Sequence, residues 1–257
     1  MGDSTRHPET LDEVIEALTV IVLKSKAEKS RIGFFAAMYR KVTVRVRAGV
    51  VSGLFEDGPR MERLAITFAS RYLTALDQFR RGDTPSRCWD FAFQTVPMWR
   101  PLIIQHLLMG INAHINLDLG IAAAQTSPGD ELADLRNDFI QINDLLAHQV
   151  ATVRKEIGEV SPWIRLLDQV DPGAGQAIVN FSIGRAREQA WTAAELLAHA
   201  LAEDWQGHIA VLDRNAVAIA RLVRDPPGWV FKAGLRLIRI RETGDVRRVI
   251  EVLDRSE

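Results

Sequence analysis

The stretch QHLLMGINAHINLDLGIAA, residues 105–123, is the most apolar long segment of the chain, yet it carries two histidines, two asparagines and an aspartate. Its apolar residues fall on nearly every side of a helix with 3.6 residues per turn, which predicts a helix in the centre of the protein. An unpartnered buried polar group costs roughly 1–3 kcal/mol. Several such groups in one buried helix therefore indicate either a hydrogen-bond network or a functional cavity.

The polar residues of this helix form two separate faces when each residue turns the helix by about 100°. One face carries His106, His114 and Asp118. The other face carries the amides Gln105, Asn112 and Asn116. His114 and Asp118 lie one turn apart, about 6 Å along the axis, so that both side chains can reach one ion or one substrate atom. His106 lies two turns before His114, about 12 Å away, and is expected to support the pair or to act separately.

The whole chain has 257 residues, of which 47% are hydrophobic, and this length is sufficient for a large buried core. Helical spacing and helix-end residues predict helices at 11–26, at 34–51 and at 57–82. We predict an all-α fold with one multi-helix domain, residues 1–228, around a buried central helix at about 101–124. Residues 229–257 are predicted to be a small C-terminal appendage or a part of the same domain.

Two stretches alternate apolar and basic residues as a half-buried strand would. For VTVRVRAG, residues 42–49, we favour a helix, because it continues the apolar face of the preceding residues. For LRLIRIRE, residues 235–242, a helix and a terminal strand or hairpin both remain open.

Composition excludes several classes of protein. The formal net charge of -1 gives no general attraction to nucleic acid or to an anionic membrane. The single cysteine, Cys88, fits a reducing compartment, and the polar N-terminus does not resemble a signal peptide. No uninterrupted apolar run reaches the roughly 20 residues that a membrane span needs. We therefore expect a cytoplasmic protein with no nucleic-acid or membrane partner; a homo-oligomer remains open.

The predicted site is centred on His114 and Asp118. We predict that they act as ligands of a divalent metal, or as a base and the carboxylate that orients it, with His106 as a further catalytic group. Asp138 lies on the following helix, at a similar distance from the intervening turn, and is the predicted third metal ligand. The cofactor itself is not identified by the sequence.

Five further residues are predicted to contact a small-molecule substrate, and Arg187 and Trp191 among them are spaced to stack. The five are Asn112, Asn116, Tyr72, Arg187 and Trp191. A ladder of Glu195, His199 and Glu203 at four-residue spacing has two interpretations. It is either the other half of a metal site or, as we favour, a solvated helix face.

The central segment resembles a bacterial family of unknown function, common in actinobacteria, with the motif His-x3-Gly-x-Asn-Ala-His-Ile-x2-Asp-Leu. The motif is met here by His106, Gly110, Asn112, Ala113, His114, Ile115, Asp118 and Leu119. The similarity extends over 32–43, 68–77, 138–143 and 186–191, and it implies no particular activity. A looser resemblance, to the all-α zinc phospholipase C and nuclease fold, rests on the His-x3-Asp and His-x3-Glu pairs at 114–118 and 199–203.

Three functions are compatible with these patterns. The first is an enzyme that carries out hydrolysis or another proton transfer on a small molecule, with or without a metal. The second is a non-catalytic protein that binds a small molecule or a partner. In the third, the polar residues only fix how the helices pack.

Overall fold

Helices run through nearly all of the part of the chain that the computed structural model describes, which is residues 7–142, 156, 158–161 and 183–255. These residues contain no strand, and the predicted all-α fold is confirmed. Their helices are α1 (Leu11–Glu28), α2 (Ile32–Val51), α3 (Gly58–Arg81), α4 (Arg87–Thr95), α5 (Ile103–Thr126), α6 (Glu131–Asp134), a helical stretch at 136–142, α7 (Ile183–Ala198), α8 (Trp205–Arg224), α9 (Trp229–Arg241) and α10 (Val246–Leu253).

The ends of α3 follow from its terminal residues. The side chain of Asp57 accepts a hydrogen bond from the backbone N–H of Arg60 at 2.8 Å, and Pro59 occupies the first turn. Gly82 ends the helix with φ of 83°, in the left-handed region that glycine adopts without strain. The sequence prediction for this helix is confirmed.

The predicted central helix is α5, and it begins and ends two residues later than predicted. It is long and apolar enough to cross a membrane, and it is the one such helix in the described chain. However, 94% of its most apolar 18-residue window is buried inside the protein. Its first N–H, from Ile103, donates to both carboxylate oxygens of Glu242, at 3.1 and 3.2 Å. A residue far along the chain thus caps the N-terminus of the core helix, where a negative charge is favourable.

The middle of α5 is a π-helical segment, His114–Leu119. A π-helical turn is wider than an α-helical one and changes the direction in which its side chains project. Both His114 and Asp118 belong to this segment, so the face that carries them is not the regular α-helical face assumed from the sequence.

Residues 235–241 belong to α9, and the strand alternative for them is wrong. The buried residues Leu235, Ile238 and Glu242 are spaced three and four positions apart, as on one side of a helix, whereas Leu237 and Ile240 are exposed. The helical interpretation of residues 42–49 is confirmed, because they lie within α2. The division of the chain at residue 228 stays a prediction.

Two glycines let neighbouring elements approach α5 closely. A Cβ on Gly110 would lie 2.8 Å from the ring of Phe35, and a Cβ on Gly120 would lie 2.7 Å from the backbone oxygen of Ala190 in α7. Gly110 thus makes room for a buried aromatic ring.

We predict that Gly120→Ala lowers the free energy of unfolding by about 1–3 kcal/mol, because the added methyl group must displace the backbone of α7. Gly207→Ala is the control: its Cβ would meet nothing within 4 Å, and the substitution should be neutral or stabilise by up to about 1 kcal/mol. Urea denaturation measures both values. Similar effects for the two variants would contradict this packing.

Candidate functional site

Asp118 is 1% exposed, and both of its carboxylate oxygens accept hydrogen bonds. The Nε of Arg71, on α3, donates to Oδ1 at 2.7 Å, and the indole Nε1 of Trp89, on α4, donates to Oδ2 at 2.7 Å. A buried carboxylate requires a compensating charge and hydrogen-bond donors, and these two side chains supply both. The carboxylate thereby joins α3 and α4 to the central helix.

His114 lies beside this carboxylate without bonding to it. Its Nδ1 is 4.0 Å from Asp118 Oδ2, which is too long for a hydrogen bond, and neither ring nitrogen has a partner within the described chain. The ring stacks on Phe68 with centroids 3.5 Å apart, and Tyr39 presents its edge at 4.3 Å. Burial lowers the pKa of His114 below its ordinary value, although Asp118 opposes the shift, so the ring is neutral at pH 7.

The hydrogen-bonded side chains of Asp118, Arg71 and Trp89 are called the Asp118 cluster below. A cleft of about 560 Å³ opens beside this cluster. Arg71, Trp89 and Asp118 all line it. Beside them the polar lining consists of His7 and six uncharged side chains: Thr67, Ser70, Thr74, Gln78, Ser86 and Gln125. Arg71 is partly exposed, and its two terminal nitrogens have no hydrogen-bond partner among the described residues.

His106 lies apart from this cleft, near the N-terminal end of α5. It packs edge-on against Phe34 and lines a very small cavity with Arg31 and Arg239, and its Nε2 has no partner in the part of the chain that the structure describes. Burial is the main reason that the pKa of His106 is lowered to about 3, and the positive charges of Arg31 and Arg239 lower it further. The structure therefore does not bring His106 together with His114 and Asp118.

His106 should make stability depend on pH. It is neutral in the folded protein but binds a proton below about pH 6.5 when unfolded, so stability falls as the pH drops from 6.5 towards 3. Between pH 7 and pH 5 this contribution is about 2 kcal/mol. We predict that His106→Gln reduces the difference in unfolding free energy between these pH values by that amount.

Denaturant titrations at pH 7 and pH 5 measure this difference, with His199→Gln as a control at an exposed histidine. An unchanged difference in His106→Gln would show that the histidine is not held neutral.

Asp138 forms its hydrogen bonds with the start of α3 and not with the His114–Asp118 pair. It accepts hydrogen bonds from the backbone N–H groups of Glu56 and Asp57, at 2.7 and 3.1 Å, and from Arg60 at 3.2 Å. In the described residues no three histidine, cysteine, aspartate or glutamate side chains are placed to hold a metal ion. Asp138 is thus not brought to the His114–Asp118 pair, and a role for the three as metal ligands stays a prediction.

The amide face of α5 binds a neighbouring helix. Asn112 Nδ2 donates to the backbone oxygen of Ala216 in α8 at 2.8 Å, and Asn116 Nδ2 donates to Asn112 Oδ1 at 2.9 Å. Gln105 Nε2 donates to the oxygen of Val223 at 2.6 Å. Asn112 and Asn116 do not line the cleft, and their hydrogen bonds fix α8 against the core.

The remaining predicted contacts lie in different surroundings. Tyr72 is buried, its hydroxyl has no partner, and its ring packs on Trp89. Arg187 lies over Phe139, whereas Trp191 donates to Glu195, so the expected stack of Arg187 on Trp191 is not formed.

The Glu195, His199 and Glu203 ladder is exposed. His199 Nε2 lies 3.6 Å from Asp130. The exposure agrees with a solvated position, but α7 ends at Ala198, so His199 and Glu203 lie beyond the helix and the three residues do not form one helix face.

Sequence reasoning missed Arg71, Trp89 and Phe68, which form most of the surroundings of the pair. The only signal for Arg71 was the need of a buried aspartate for a cation, and α3 contains several arginines. Nothing in the spacing distinguishes Trp89 from the other tryptophans.

A family model described as "Family of unknown function (DUF5995)" matches residues 11–226. The chain belongs to this family. The match includes the whole Asp118 cluster of this DUF5995 protein and ends before α9. Comparisons with curated proteins and with solved structures gave no significant match. Membership agrees with the resemblance to a family of unknown function, and it assigns no activity.

For this DUF5995 protein we predict that Asp118→Asn lowers the free energy of unfolding by about 2–4 kcal/mol, because one of the two accepting oxygens becomes an NH2 group, which cannot accept, and the arginine loses its counter-charge. Asp77→Asn on α3 is the matched control. Asp77 pairs with the exposed Arg81, so its substitution should change stability by less than about 1 kcal/mol. Equal losses in chemical denaturation would show that the Asp118 cluster does not stabilise the core.

Proposed function

We propose that this DUF5995 protein binds a small hydroxylated anion in the cleft beside Asp118. The observation that carries the proposal is the state of Arg71, whose Nε donates to a buried carboxylate while its terminal nitrogens, at the cleft, have no partner in the described part of the chain. A guanidinium held in this way presents a preorganised fork of donors, which suits a carboxylate or phosphate group. Asp118 then acts on Arg71 and does not itself have to touch the ligand.

The other side chains of the cleft support the same class of ligand. Hydroxyl and amide groups from Ser70, Thr74, Gln78 and Gln125 donate and accept hydrogen bonds without adding charge. A volume of about 560 Å³ is within the range of small-molecule sites. Sugar acids and sugar phosphates combine one anionic group with several hydroxyls and match this lining.

The test is isothermal titration with gluconate, glucuronate and glucose 6-phosphate, with sorbitol as the uncharged comparison. At least one anion should bind, and sorbitol should bind at least about tenfold more weakly. Arg71→Lys keeps the charge near Asp118 but loses the fork, and it should weaken binding about tenfold or more. Arg81→Lys, at the exposed end of α3, should not change the affinity.

Failure of all three anions to bind would contradict the proposal, as would equal binding of sorbitol or full affinity in Arg71→Lys. Thermal unfolding of each variant shows that a lost signal is not lost folding.

A second candidate function is catalysis by hydrolysis or another proton transfer, metal-free or metal-dependent. The specific observation in its favour is the neutral His114 ring, which has two unpaired nitrogens and lies beside an ionisable carboxylate. His114→Phe keeps the aromatic packing and removes both nitrogens. A hydrolase would lose its cleavage of p-nitrophenyl esters in this variant, whereas a binding protein would keep its anion affinity.

The wider proposal retains four expectations from the sequence. We expect the protein to be cytoplasmic. We also expect it to bind a small molecule and neither nucleic acid nor a membrane, and a homo-oligomer remains open. The His-x3-Gly-x-Asn-Ala-His-Ile-x2-Asp-Leu motif is the signature of a mainly actinobacterial family.

A further inference from the structure

A second pocket lies on a different face of α3 from the cleft. Its volume is about 50 Å³, and almost all of its lining is apolar. Residues from α2, α3, α5, the 136–142 stretch and α7 contribute to it, among them Tyr39, Met61, Phe68, Leu119, Phe139 and Arg187. Arg187 is the one charged side chain among the described residues that line it.

Arg187 is a buried cation that no carboxylate of the described residues neutralises. It is 4% exposed, and it forms no ion pair with any carboxylate of the described residues. Its Nη2 donates to the backbone oxygen of Phe139 at 3.4 Å, and its Nε has no hydrogen-bond partner among the residues that the structure describes. Burial lowers the pKa of Arg187 to about 10, which leaves the group charged at neutral pH.

An unpaired charge in an apolar pocket is costly, because burial removes it from water without giving it a counter-ion. A ligand that brings an anion removes this cost. The apolar walls select a ligand whose remaining part is hydrocarbon, which distinguishes this pocket from the hydroxyl-lined cleft.

We propose that the pocket binds a short monocarboxylate of two to four carbons, with its carboxylate on Arg187 and its alkyl end against Tyr39 and Phe68. A group of the size of a water molecule needs about 10–15 Å³ of cavity volume, so this cavity of about 50 Å³ holds three to five such groups. Acetate, propionate and isobutyrate fall within or close to this limit. The site is independent of the anion site proposed for the cleft.

Occupation of the pocket also has a spectroscopic consequence. Tyr39 and Phe68 line the pocket and both pack against the ring of His114. A ligand that touches these rings should shift the NMR signals of His114, although it does not contact Asp118.

The test is an NMR titration of the full chain with isobutyrate and with isobutyramide, which has nearly the same shape and no charge. Isobutyrate should shift the His114 ring signals and bind at least about tenfold more tightly than the amide. Arg71→Lys, the variant that tests the cleft, should leave this binding unchanged. A failure of this proposal can therefore be distinguished from a failure of the proposal for the cleft.

Two variants separate binding from folding. Arg187→Met removes the charge and keeps an apolar side chain, so it should abolish isobutyrate binding and raise the melting temperature of the free protein. Ala65→Leu fills a position in the pocket lining and leaves Arg187 in place, and it should also abolish binding.

Three results would overturn the proposal. One is equal affinity for isobutyrate and isobutyramide. The second is the absence of binding by acetate, propionate, butyrate and isobutyrate alike. The third is a lower melting temperature of Arg187→Met together with full binding by Ala65→Leu, which would identify Arg187 as a packing residue only.

Discussion

The buried carboxylate of Asp118 is the constraint on which the arrangement of this protein depends. It lies in the core helix, where an uncompensated charge would be strongly destabilising, and it is compensated only because Arg71 and Trp89 reach it from two other helices. The positions of α3 and α4 relative to α5 are therefore linked to one side chain. The same contacts place a partly exposed guanidinium at the edge of the cleft, so that a requirement of folding also prepares a binding group.

The two polar faces of α5 have different roles. The amide face bonds to backbone oxygens of α8, which is how a core helix fixes the register of a neighbour. The other face is less uniform, since His106 lies near arginines at one end while His114 lies among aromatic rings near Asp118. Both histidines are kept neutral by burial; Asp118 opposes the shift for His114, whereas Arg31 and Arg239 add to it for His106. A motif that looks like one site in sequence is therefore divided between two environments.

Local signals made much of the fold predictable. Asp57, Pro59 and Gly82 mark the ends of α3 because capping and left-handed residues act within one turn. The burial of α5 followed from its apolar residues alone. The π-helical segment, the cap of Ile103 by Glu242 and the partners of Asp118 depend on contacts between distant parts of the chain, and no local pattern encodes them. For α9, the alternation of apolar and basic residues suggested a strand. The segment forms a helix, because helical spacing buries one of its sides against the protein.

A double-mutant cycle on Arg71 and Asp118 tests the central claim most directly. The unfolding free energies of wild type, Arg71→Gln, Asp118→Asn and the double variant give the coupling between the two side chains. A bonded and largely buried pair should show a coupling of about 1.5 kcal/mol or more. Additive effects, within about 0.5 kcal/mol, would mean that the two groups do not interact in solution and that Arg71 is not held for binding.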